Sequence, residues 1–368
     1  MKIALIGNSD FCIYSYRYEL VKKMLSLGHS VSVLSPAGNL IGELKEMGCS
    51  FYETPLKRHG KNPFDDIRLL RLYTKILKEI SPDYVFTYTI KPNIYGSIAC
   101  SKLKIPCVAN ITGLGTAVES SGVLQKVTTL LYRIAFKNVQ TIFFQNRENQ
   151  NFFADKNIYI PKHKLLPGSG VNLTRFTPFP FSKTDTVDFV FISRLMKEKG
   201  IVQYLDAAKF LTEKYSNVRF HICGFCESEY ENRLKDLKES NVVIYHGMVK
   251  DITTILKDVH CVVHPSYYPE GMSNVLLEAC ACARPIITTD RPGCGEVVED
   301  GINGFVVKQK DTPDLIKQIE KFLSLTVEER YQMGLNGRKK VEKEFDRNIV
   351  INAYLQEIGA AEKDLICI

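Results

Sequence analysis

No stretch of this chain approaches the ~20 uninterrupted apolar residues of a membrane-spanning helix. The opening residues, MKIALIGNSDF, hold one lysine and a short apolar run. That is the pattern of a first strand rather than of a signal peptide, so a cytoplasmic protein is expected. Eleven cysteines are neither paired by spacing nor dense enough for a disulfide scaffold. The Cys-x-x-Cys formed by Cys223 and Cys226, near His221, lacks a second copy at zinc-ribbon spacing, so reduced core thiols are expected there. No G-x-G-x-x-G follows a strand-like segment, which argues against a nicotinamide dehydrogenase. Internal repeats and low-complexity segments are also missing.

What is present reads as an ordinary soluble α/β protein. The 368 residues are 45% hydrophobic and 24% charged, enough for two domains with separate cores. Net charge is +7, unevenly spread. Residues 1–180 hold 23 Lys+Arg against 12 Asp+Glu, a net of +11, whereas the remainder holds 25 against 29, a net of −4. A basic half suits an anionic partner, either nucleic acid or an anionic membrane surface, or is simply a lysine-rich surface. No reader motif accompanies the charge, so no nucleic-acid partner is expected.

Strand-like and helix-like segments alternate from the start. KIALI, VSVLS, SFYETPL, DYVFTYT and PCVANIT read as strands, with helical patterns such as YSYRYELVKKMLSLG between them. Such alternation predicts parallel, doubly wound sheets. Around 168–186, GSGVNLTRFTPFPFSKTDT is rich in Gly, Pro, Ser and Thr and reads as a linker. Alternation then resumes with VDFVFISR, NVRFHICG, NVVIYHG, HCVVHPS, PIITTD and GFVV. The expected organisation is a Rossmann-like domain over 1–175, a second over 176–345, and a terminal helix over 346–368 returning toward the first. Ligands of such folds sit at the carboxyl ends of strands, so a cleft between the halves is the expected site.

Four loops of the second half carry chemistry. After VDFVFIS comes RLMKEKG, placing Arg194, Lys197 and Lys199 beside the start of a helix. Cations there oppose the helix dipole by ~0.3–1 kcal/mol each. A bound phosphate between them would repay that cost; a solvated basic loop is the plain alternative. After CVVHPS comes YYPEGMS, with Glu270 in the loop, Gly271 allowing close backbone approach, and Ser273 or Asn274 able to cap the next helix. Glu278 follows one helical turn after Asn274, in largely apolar sequence. It is placed either to pair with a local cation or to accept from the vicinal hydroxyls of a ribose. The loops CGF, with Gly224, and HGMV, with Val249, offer backbone groups for a base edge.

Arg194 and Lys199 after a strand, then Glu270 and Glu278 with seven residues between, resemble retaining glycosyltransferases of family four, which have the GT-B fold of two Rossmann-like domains facing a cleft. SGVNLTRF and PGCGEVVEDGINGFVV are similar to other stretches of that family. The resemblance implies that Arg194 and Lys199 hold the donor diphosphate and stabilise it as a leaving group. Glu270 would contact the donor sugar, with the amides of Gly271, Met272, Ser273 and Asn274 around sugar and phosphate, and Glu278 would bind the ribose. The family's first half supplies the acceptor side. Many members have a glycine pair after the first strand; here GNSDF has Gly7 alone, carried over as a donor contact. Many carry a histidine after a later strand; NITGLGTA has none, leaving Asn110, Thr112, Gly113 and Gly115 as lining residues.

TGLG resembles bacterial members that build capsule, O-antigen or lipid-linked oligosaccharides. The donor implied is a UDP-sugar carrying N-acetylgalactosamine, galactose or N-acetylglucosamine, and the acceptor a lipid-linked saccharide. No Asp-x-Asp triplet occurs, so neither metal nor cofactor is expected. The basic first half includes Lys57, Arg58, Lys61, Arg68, Arg71, Lys75 and Lys78, then GVLQKVTTLLYRIAFKNV with Lys126, Arg133 and Lys137. Either that amphipathic segment rests on anionic lipid, or Val127, Leu130, Leu131 and Ile134 face the core. A UDP-sugar epimerase of the same fold and a non-catalytic nucleotide-binding scaffold are the rival functions.

Overall fold

The computed structural model describes residues 1–56, 63–115, 122–181 and 184–366, with side chains to 359. Lys57, Arg58 and Lys61 lie outside the described residues. Two compact units emerge: one of Met1–Ser169 with Asn348–Ile368, the other of Gly170–Arg347. The chain thus crosses between units at 169/170 and again at 347/348, where the sequence suggested 175/176 and 345/346.

Unit 1 contains β1 (Lys2–Ile6), β2 (Ser30–Ser35), β3 (Ser50–Glu53), β4 (Tyr84–Tyr88), β5 (Cys107–Ile111), β6 (Thr141–Phe144) and β7 (His163–Leu165). They form one parallel sheet in the order β3-β2-β1-β4-β5-β6-β7. Unit 2 contains β8 (Val187–Ile192), β9 (Val218–Cys223), β10 (Ile244–Tyr245), β11 (Cys261–His264), β12 (Ile286–Thr289) and β13 (Gly304–Val307). Its parallel order is β10-β9-β8-β11-β12-β13. Both are doubly wound Rossmann-like sheets, as the alternating pattern predicts.

The strand sequences explain their placement. Alternate residues of each strand enter different cores: Ala4, Ile6, Val85 and Ala109 on one face of the first sheet, Ile3, Leu5, Phe86 and Val108 on the other. Phe189, Phe191 and Val263 against Val190 and Val262 repeat this in unit 2. Both faces are covered, so central strands read as continuous apolar runs. Sequence reading missed two strands: β6, TIFF, is a short apolar run leading into Gln145 and Asn146, and β7, HKL, carries Lys164 at its centre and no apolar run. Periodicity alone does not assign such segments.

The last helix, Arg347–Ile366, packs into unit 1. Tyr354 stacks among Phe86 and Phe143 (ring centroids 5.0 and 5.2 Å) and its hydroxyl bonds Asn110 Oδ1. Glu357 accepts from Thr141 Oγ1 at 2.8 Å and from Lys164 Nζ.

In unit 2, Arg284 is fully buried and spends its guanidinium on three carbonyls: Leu256 (2.6 Å), Lys257 (3.0 Å) and Pro180 (3.1 Å). It closes the short helix Thr253–Leu256 and fixes the incoming segment, with Phe181 4.9 Å from its carbon. Arg284→Ala would orphan those carbonyls and leave a void, an expected loss of about 2–4 kcal/mol. Chemical denaturation followed by circular dichroism measures it; an unchanged midpoint would mean the site relaxes or hydrates without cost.

Candidate active site

Close backbone approach builds the site at the carboxyl ends of β8, β9, β11 and β12. Ser193 N–H donates to Cys223 O at 3.0 Å and Leu195 N–H to Phe225 O at 2.8 Å, so the loops after β8 and β9 run together. Gly224 has φ +142°, and a Cβ there would lie 1.8 Å from Ser193 O; no side chain fits. The chain then makes one 3₁₀ turn, Lys197–Lys199, and stops on Gly200 at φ +80°. A Cβ on Gly200 would come within 2.2 Å of Pro265 O, so glycine also lets the β8 loop touch the β11 loop.

That contact delivers Lys199 to Glu270. Lys199 Nζ donates a short hydrogen bond to Glu270 Oε1 and sits 4.9 Å from the centre of the Tyr268 ring. Ser266 Oγ reaches the same carboxylate oxygen at 3.3 Å, and His264 Nε2 stands 3.6 Å away. Lys199 and Glu270 side chains are only 14% and 12% exposed, so the ion pair is well shielded from solvent. Burial pushes the Glu270 carboxyl up, but Lys199 and His264 outweigh it and hold the group well below the usual carboxylate range. His264, whose ring nitrogens have no hydrogen-bond partner among the described residues, is held down chiefly by burial. Sequence reading missed His264, because a histidine closing the apolar run CVVHPS looks like a core residue.

Glu270 leads into Gly271, Met272 and Ser273, all buried, and then into the helix Asn274–Ala281. Ser273 occupies the cap position, yet its side chain makes no capping bond; its N–H donates to Gly293 O at 2.8 Å. The loop after β12 is thereby stitched to the Glu270 loop. Glu278 lies on the second turn of this helix and is partly buried. Its carboxyl is pushed up to about 7 by burial, against the opposing pull of Arg347 and Arg175. Among the described residues Arg347 donates to Gly170 O at 3.0 Å and Arg175 to Asp251 Oδ1 at 3.3 Å. These two guanidiniums are the cations of the local-pair alternative for Glu278, and they act on it through their charge.

Arg194 is 48% exposed, with Nε 3.8 Å from Glu227 Oε1. Val249 is half-buried beside Ile252 and Ile255, two residues beyond Gly247, whose carbonyl accepts from Gly224 N–H at 2.8 Å. Eight of the expected contacts, Arg194, Lys199, Gly224, Glu270, Gly271, Met272, Ser273 and Asn274, thus belong to one set of adjoining loops in unit 2. Gly7 belongs to unit 1 and commits its N–H to Leu34 O at 3.0 Å. Asn110 does not line an open surface. It is 2% exposed and donates to Thr87 O at 3.0 Å.

His264, Glu270 and Cys294 bring ligand-type atoms within 4.8 Å of one another. Lys199 already occupies the Glu270 oxygen that a metal would take, so a cation is present at that position as an ammonium.

Residues 175–340 match the family description "Glycosyl transferases group 1", and residues 2–146 match "Glycosyl transferase 4-like". The chain is also 30% identical over 357 residues to EpsD of Bacillus subtilis, a protein named as a glycosyltransferase, covering 92% of this chain and 91% of that one. The chain belongs to this glycosyltransferase family. Among other relatives of the glycosyltransferase is the N,N'-diacetylbacillosaminyl-diphospho-undecaprenol alpha-1,3-N-acetylgalactosaminyltransferase of Campylobacter jejuni. It is 26% identical over 97% of this chain and 98% of its own length. The UDP-Gal:alpha-D-GlcNAc-diphosphoundecaprenol alpha-1,3-galactosyltransferase of Escherichia coli is 26% identical over 84% and 86%. Anabaena Alr3699/HepE, solved with UDP and glucose, superposes with a TM-score of 0.79 at 19% identity, covering 98% of this chain and 100% of that one. The glycosyltransferase therefore has the GT-B fold expected from its sequence.

Proposed function

We propose that this glycosyltransferase moves N-acetylgalactosamine, galactose or N-acetylglucosamine from UDP to a hydroxyl of a lipid-linked saccharide, with retention and without a metal. The observation that carries the reading is the convergence of Lys199 and Glu270 beside the amides of residues 271–274, with Glu278 one turn beyond. The two lipid-diphosphate relatives support the acceptor class. In the reaction the bond from the anomeric carbon to the diphosphate oxygen breaks while the acceptor oxygen bonds the same face. The acceptor proton passes to the departing phosphate oxygen. Lys199, Arg194 and the loop amides then meet the negative charge that develops on the diphosphate. Glu270 orients the sugar and Glu278 accepts from the ribose hydroxyls. Full activity in EDTA and an unchanged anomeric configuration by proton NMR are the expected results. Loss of activity in EDTA, restored by a divalent ion, would overturn the metal-free step.

The same reading places the acceptor at a membrane surface. Among the described residues no helix is long and apolar enough to cross a membrane. The helix Val123–Ala135 turns Thr128, Tyr132 and Ala135 inward, while Val123 (79%), Leu130 (54%) and Ile134 (56%) are exposed along one stripe. The alternative in which these residues face the core does not hold for Val127, Leu130 and Ile134, which are exposed; Leu131 is half-buried. Lys126 and Arg133 flank the stripe, and Phe64, in the helix Pro63–Ile80 of the same unit, is 78% exposed. An apolar stripe edged by cations suits anionic lipid. Sedimentation with anionic vesicles, weakened about tenfold or more in a Leu130→Glu/Ile134→Glu double variant, is expected. Equal sedimentation of both proteins would contradict the surface.

A further inference from the structure

Among the described residues the buried imidazole of His264 makes no hydrogen bond, and it stands behind the carboxylate that changes partners. Neither ring nitrogen has a hydrogen-bond partner among the described residues, the residue is 1% exposed, and Nε2 lies 3.6 Å from Glu270 Oε1. A buried, unbonded polar side chain is costly to keep. Glu270 is balanced by Lys199 in this state. Under the donor reading on which this step rests, Lys199 must turn to the diphosphate, so Glu270 gives up its ammonium as a second anion arrives.

We propose that His264 and Glu270 together take up one proton from solvent when the donor binds, replacing the charge that Lys199 carries away to the diphosphate. The proton bridges His264 Nε2 and Glu270 Oε1. His264 is then a positioning residue, keeping Glu270 on the sugar without an unbalanced charge.

The surrounding groups favour this pair as the proton's destination. Lys199 faces it from the β8 loop, and its departure removes an influence that holds both groups down. Ser266 offers a neutral hydroxyl at 3.3 Å, and Tyr268 presents its ring to Lys199. Cys294, on the β12 loop, is a fully buried thiol pushed up by burial and then by Glu270, so it stays protonated. Glu296 accepts from Gly293 N–H at 2.6 Å and is spent on its own loop.

Titration calorimetry tests the step with UDP-N-acetylgalactosamine, whose diphosphate has no group titrating near neutrality. Binding heats are compared in two buffers of different protonation enthalpy at about pH 7.5. Ionisation of Glu278 on binding contributes equally to all proteins, so the readout is a difference. The wild type is expected to take up about one more proton per ligand than His264→Asn or His264→Phe, each checked for folding by circular dichroism. Equal proton counts in wild type and either folded variant would overturn the inference while leaving the donor site standing. Absence of binding by the wild type would overturn the donor site and this inference with it.

Discussion

Lys199→Ala is expected to lower turnover by on the order of 10²–10³-fold, the effect of removing one preorganised group that meets developing charge. The reason is geometric. Gly200 brings the 3₁₀ turn against Pro265, and Tyr268 and Glu270 hold the ammonium in a space with little solvent. From there the ammonium turns from Glu270 to the diphosphate and meets the charge that develops as it departs. Lys199→Arg should restore only part of the rate, because a planar guanidinium does not fit the place of a compact ammonium. Arg194→Ala should also fall in the 10²–10³ range if its exposed side chain closes on the diphosphate. Steady-state UDP release, with folding checked by circular dichroism, measures all three. A Lys199→Ala enzyme within about threefold of wild type would remove Lys199 from the chemistry.

The second large effect concerns Glu278. Its carboxyl is raised from 4.5 to about 7, mainly by burial. Ionising it therefore costs stability. That stability is intact below about pH 4.5 and is lost as pH rises through about 7. Glu278→Gln removes the cost, so the variant should be more stable than wild type at about pH 8, by on the order of 2–3 kcal/mol after allowance for partial exposure. The same variant should bind UDP about 10²-fold more weakly, because an amide does not replace a carboxylate accepting from two ribose hydroxyls. In the wild type, UDP affinity should climb about tenfold per pH unit up to about 7 and level off above. Thermal melts and UDP titrations on both proteins check these outcomes. A Glu278→Gln enzyme that loses stability and keeps its affinity would mark Glu278 as a structural residue.

Much of this was legible in the chain, for physical reasons. Strands covered on both faces leave unbroken apolar runs, so β1, β4, β8 and β11 stood out from their loops. Loops after parallel strands point to one edge of the sheet, so RLMKEKG and PEGMSNVLLE could be expected to meet. Other features depend on pairings that local sequence does not record. His264 looks like any core residue until Glu270 is seen 3.6 Å away. Asn110 looks like a loop polar group, but Thr87 and Tyr354 absorb its hydrogen bonds. The helix Val123–Ala135 carries apolar residues on two faces, and periodicity alone did not say which one the core would claim; Tyr132 and Ala135 won it. Gly224 and Gly200 were visible as glycines, but their need appears only with Ser193 O and Pro265 O in place.

The most direct measurement is nucleotide release from a panel of UDP- and GDP-sugars, in EDTA, with a short lipid-diphosphate saccharide as acceptor. UDP released from one donor, only with acceptor present and lost in Glu278→Ala, is the expected result. Sugar donors converted without acceptor, or no nucleotide bound at all, would contradict the transferase site built here from Lys199, Glu270 and Glu278.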